Sequence, residues 1–196
     1  MALMLFGCTG ALIVPFVRLY TAGITDADYI QPVFALLLLL AEAMNCLALP
    51  YTTLPISANQ LKQSRWGSYG EAILNLGVSL CLIWWNPLVG IALGTILATC
   101  YKSFFYMHYT AKHILHCGTG SVIGRFFLAM GLLAGISCCG MTLLWNVVIK
   151  NYFVWILWAM ITFVVIGAVV VVFGILVYPG ELKPLLPGKG RKSDKD

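Results

Sequence analysis

Apolar residues fill this chain in long unbroken blocks, with no strict alternation and no sustained heptad. A helix needs about 20 apolar residues to cross a hydrocarbon layer of about 30 Å. Six blocks reach or approach that length: residues 2–17, 31–50, 70–85, 88–109, 122–148 and 152–178. The second can continue past Pro50 and Pro55 as a kinked extension. The β-branched run at 164–172 would suit a strand in water. A lipid-spanning segment of that length reads as helix, because its backbone groups must be satisfied internally.

Polar punctuation agrees with these limits. Asp26 and Asp28 lead into the second block, and Pro32 is acceptable in a first helical turn. Asn86-Pro87 breaks the chain between the third and fourth blocks and demands a tight hairpin. Trp66, Trp84, Trp85, Tyr106, Tyr109, Trp145, Tyr152, Trp155 and Tyr178 collect near block ends, as in an interfacial aromatic belt. Residues 179–196 hold three prolines, three glycines and eight charges, and read as a disordered basic cytoplasmic tail.

Composition sharpens the class. Of the 196 residues 61% are hydrophobic and 10% charged, with a mean hydropathy of +0.92; soluble domains carry about 25% charge. That excludes a cytosolic enzyme, a disulfide-rich secreted domain and a disordered chain. The expectation is an all-α, multi-pass bundle of about six transmembrane helices over 1–178. The net charge of +5 does not point to nucleic acid, because most of its basic residues gather between blocks and in the tail. Lys62, Arg65, Lys102, Lys112, Arg125, Lys183, Lys189, Arg191, Lys192 and Lys195 make ten on one side, against Arg18 and Lys150. By the positive-inside rule both termini are then cytoplasmic.

Candidate chemistry is sparse. The seven cysteines (Cys8, Cys46, Cys81, Cys100, Cys117, Cys138 and Cys139) form no CxxC pair or metal-ligand spacing. His108, His113 and His116 have no acidic or Cys partner that would complete a ligand set, so no metal site is expected. No nucleophile motif or phosphate loop occurs, so the chain reads as a non-enzyme without cofactors. Glu42 stands inside a run of leucines, where an unpaired carboxylate costs several kcal/mol. Two readings stand: a cavity-lining or ion-coupled site, or an interhelical hydrogen bond. Asn45 follows one turn on. Glu71 and Asn75 form a second i, i+4 pair at the start of the third block, with Glu71 near the interface in a solvated or salt-bridged role. Arg18 closes the first block, where it either snorkels to headgroups or faces an anionic lipid-linked substrate. Gly90 with Gly94, and Gly131 with Gly135, are GxxxG faces expected to pack helices closely.

Three phrases carry a family resemblance: IVPFVRLYTAGITDADY at 13–29, EAILNLGVSL at 71–80 and VGIALGT at 89–95. In this order and spacing they resemble polysaccharide flippases, which export lipid-linked oligosaccharides and share a superfamily with the multidrug and toxin extrusion transporters. The resemblance covers about residues 10–116. It implies a bacterial cytoplasmic-membrane protein that works by alternating access, with membrane lipids and a lipid-linked oligosaccharide as partners. Arg18, Glu42, Asn45, Glu71 and Asn75 become its substrate or cavity candidates. Such transporters have 12 to 14 spans in two lobes, so this chain corresponds to a C-terminal part. Its partner would be a missing N-terminal lobe or a second copy. The rival readings are a cation-coupled multidrug exporter with Glu42 as proton carrier, and an accessory membrane subunit without transport.

Overall fold

Each apolar block folds as one helix in the computed structural model, which describes residues 1–24, 29–59, 61–84, 86–114, 118–145, 147, 149 and 151–177. The helices are α1 (Ala2–Tyr20), α2 (Pro32–Ser57), α3 (Leu61–Leu82), α4 (Pro87–His113), α5 (Thr119–Leu144) and α6 (Tyr152–Val177). All but α3 are long and apolar enough to cross a membrane. There is no strand among the described residues, and the β-branched run at 164–172 is helical. The expected caps Asp26 and Asp28, the aromatics Trp85 and Tyr178, His116, Cys117, Lys150 and the tail 179–196 lie outside the described residues.

The boundaries moved where polar residues had masked a helix. The third block was expected to begin at 70, whereas α3 begins at Leu61 and takes in Lys62, Gln63 and Arg65. Those residues disqualify it as a span by composition, yet they favour helix by propensity. Pro50 and Pro55 do not end α2, which runs on to Ser57. The Asn86 carboxamide caps α4 by accepting from the Val89 amide at 3.4 Å, with Pro87 in the first turn where its missing N–H is harmless.

Consecutive helices through α4 alternate in direction, and their registers can be followed residue by residue. Along α3 and α4, Gly90 meets Leu82, Gly94 meets Ser79, Gly70 meets Tyr101 and Gly67 meets Phe105. The partners descend on one helix as they climb on the other, so the pair is an antiparallel hairpin in contact along nearly all of α3. Helix α3 therefore lies at the same depth as α4 despite its charges. Parallel contacts arise between helices two or four apart: Asn45 and Tyr51 of α2 meet Lys102 and Thr110 of α4. Gly10 and Ala11 of α1 meet Ser137 and Gly140 of α5.

Two apolar clusters hold the halves together. Ala11, Leu12, Leu144 and Ile166 join α1, α5 and α6, while Met44, Ala48, Met107 and Phe126 join α2, α4 and α5. Helix α6 is apolar all round but buries only Ile166 and Gly167. An outward surface of Val, Ile, Leu and Phe suits acyl chains, which are as apolar as the side chains themselves.

Candidate functional site

Lys102 lies about 23 Å along α4 from Pro87 and about 16 Å before His113, at 1.5 Å of rise per residue. It had been counted among the cytoplasmic-side cations that set orientation, near the end of its block; the structure places it well inside α4, which runs on to His113. Without it the basic asymmetry is nine to two, still strongly one-sided. Its ammonium contacts both carboxylate oxygens of Glu71, each at 3.1 Å, and donates to Asn45 Oδ1 at 3.5 Å. Three helices thus converge on one cation.

The hairpin register produces this meeting. Gly70 has no side chain to hold Tyr101 away; a Cβ there would lie 2.7 Å from the Tyr101 hydroxyl. Close approach at Gly70 and Tyr101 sets their neighbours Glu71 and Lys102 side by side. Glu71 was expected near the interface at a helix start, and the earlier beginning of α3 moves it to the helix interior. The side chains of Lys102 and Glu71 keep 21% and 27% of their accessibility, so the pair is sheltered but reachable. An unpaired ion at this depth would be costly, and pairing removes most of that cost.

Asn75 does not join Glu71. One turn along α3, its Oδ1 accepts from Ser79 Oγ at 3.3 Å, and its carbonyl lies against Gly94, 3.1 Å from where a Cβ would sit. Below the ion pair, Ser68 and the Tyr106 hydroxyl are 3.5 Å apart, adding a further polar link between α3 and α4.

Glu42 does not make the interhelical hydrogen bond that was one of its two readings: it is exposed and, among the described residues, makes no hydrogen bond or ion pair. Ala41, Ala43 and Met44 occupy the inward faces of α2, and Asn45 turns toward Lys102. Glu42 falls instead on an outward stripe with Cys46 and Leu49. The three residues from Glu42 to Asn45 turn the helix far enough to part their roles.

Arg18 is tied within the protein. Its Nη1 donates to the Trp145 carbonyl, and its guanidinium carbon lies 4.7 Å from the centre of the Trp145 ring. That fastens the end of α1 to the end of α5. The two glycine faces diverge: Gly90 and Gly94 press on α3, whereas a Cβ at Gly131 or Gly135 would meet nothing within 4 Å. Gly131 and Gly135 line an apolar cavity of about 610 Å³ between α5 and α6, floored by Ala11. The α5 glycine that does pack is Gly140, where a Cβ would come within 2.5 Å of Ala11 Cβ.

Sequence reasoning missed Lys102 as a site residue. The signal was present, since no helix breaker follows Lys102 before Lys112. His113 stacks on Tyr109 with ring centres 4.7 Å apart, and among the described residues no group of His, Cys, Asp or Glu could hold a metal ion.

Fold and site together define a helical, multi-pass membrane protein with a polar junction midway along three helices. No family model, curated protein or solved structure matches the chain.

Proposed function

We propose that the chain is a membrane transport protein of the polysaccharide-flippase type, moving a lipid-linked oligosaccharide across the cytoplasmic membrane by alternating access. The observation that carries this reading is the Lys102 junction. Apolar residues of similar volume would hold a static bundle as well as a sheltered ion pair does. Ionisable groups inside a membrane mark transport pathways more often than scaffolding. Lys102 has two acceptors on two different helices, Glu71 on α3 and Asn45 on α2. Rocking of α2 against the α3–α4 hairpin can therefore exchange one acceptor for the other without stranding the cation. The substrate class comes from the resemblance at 13–29, 71–80 and 89–95. In this mechanism no covalent bond is made or broken, and a further lobe or second copy closes the cavity.

The experiment is translocation of a labelled lipid-linked oligosaccharide in proteoliposomes holding the chain and its partner lobe. Lys102→Met should abolish translocation, and Lys102→Glu combined with Glu71→Lys should recover part of it. Full translocation by Lys102→Met would overturn the reading.

A second reading has its own observation. The bidentate Glu71 contact already satisfies Lys102, so the junction can serve as a fixed clip in an accessory subunit. Under that reading the substitutions lower thermal stability, and the wild-type chain supports no translocation in any pairing.

A further inference from the structure

Glu42, Cys46, Leu49, Thr53 and Ile56 are all exposed and recur at four- and three-residue spacing along α2. They make one straight stripe about 21 Å long. Glu42 heads it, about 15 Å into the helix and beyond the reach of either interface for so short a side chain. The charges at this depth do not balance: Lys102 is matched by Glu71, and Glu42 has no counterpart among the described residues. A carboxylate held at mid-span against lipid is too costly to keep without a purpose.

We propose that this face of α2 docks a transmembrane helix of another chain that carries a Lys or Arg at mid-depth. Charge complementarity selects that partner. A second copy meeting this face symmetrically would set Glu42 against Glu42, two like charges in a medium that screens them poorly. The shape selects a helix over a small cation, because the stripe is a convex helix face, and the apolar cavities between α1, α5 and α6 and between α1 and the start of α2 are not lined by Glu42. Small and medium side chains at Cys46 and Thr53 let a second helix approach closely. The inference stands whether or not the chain transports.

The test uses the full chain in lipid bilayers with synthetic polyleucine helices bearing a central Lys, Leu or Glu, and reads association by energy transfer. The Lys peptide should bind about tenfold more tightly than the Leu peptide. Glu42→Gln should erase that advantage, and Glu42→Lys should transfer it to the Glu peptide, which guards against simple misfolding. In a variant keeping only Cys46 among its cysteines, a thiol one turn from the peptide's Lys should cross-link to Cys46. Equal binding of the Lys and Leu peptides would overturn the proposal. So would a Cys46–Cys46 dimer that survives Glu42→Lys, or labelling of Cys46 by a membrane-impermeant maleimide as fast as a loop cysteine.

Discussion

The Thr110 hydroxyl donates to the Tyr51 carbonyl at 2.9 Å, joining α4 to α2 four residues before Pro55. Pro55 has no N–H, so the helix cannot itself satisfy that carbonyl. Thr110 is fully buried, and Pro55 is also among the buried residues. The proline that loosens α2 thereby creates the acceptor that fastens it. Thr110→Val keeps the shape and removes the donor, leaving a buried carbonyl unpaired. It should cost about 1–3 kcal/mol, read as a lower unfolding midpoint in detergent. An unchanged midpoint would show that the bond contributes nothing.

Breaking the ion pair from one side should cost more than removing it whole. Lys102→Met leaves Glu71 alone, and Glu71→Gln leaves an ammonium with only amide acceptors. Each single change should lose about 2–3 kcal/mol, below the figure for fully buried pairs because some access remains. The double variant should recover most of the loss. Additive losses in a double-mutant cycle would mean that the two groups act independently.

The two GxxxG faces should respond oppositely to alanine. At Gly94 a Cβ would run into Ser79 Oγ and approach the Asn75 carbonyl to 3.1 Å, so Gly94→Ala should cost about 1–3 kcal/mol. At Gly131 or Gly135 the space is open, and the change should stay within about 0.5 kcal/mol. Thermal unfolding of the three variants side by side checks this. Equal effects would contradict the hairpin register.

Reporter fusions after Ala58 and Gly118 should lie on one side of the membrane, and fusions after Gly23 and Asn151 on the other. The alternating helix directions set the grouping, and the basic residues assign the first pair to the cytoplasm. A fusion at Gly118 reporting the outside would break the assignment.

The helices were legible because lipid-facing and core-facing residues are alike apolar, so each block announces its own length. The start of α3 was not, because Lys62, Gln63 and Arg65 resemble a loop when read without their neighbour α4. Lys102 was read as a cation near a helix end for a similar reason: a cation signals an end unless an acid is known to stand beside it. Nothing local to Glu71 reveals that it faces Lys102, 31 residues on. The sequence spacing of Gly90–Gly94 and Gly131–Gly135 is identical, and only packing tells which face finds a helix and which lines a cavity. Glu42 was singled out for its place inside the leucine run, but composition does not say which way a helix is turned.

The α3–α4 hairpin also constrains how the protein is made. Emerging from the ribosome, α3 carries Lys62 and Arg65 at its start and Glu71 at mid-helix, where an unpaired carboxylate costs several kcal/mol in lipid. Alone it has little reason to leave the translocon for lipid. Synthesis has to reach Lys102 before the Glu71 charge can be covered, so α3 must wait and partition together with α4. The tight Asn86-Pro87 corner keeps the two within reach during that delay. A nascent chain arrested before Pro87 should therefore leave α3 accessible to water-soluble reagents, and one arrested after His113 should not.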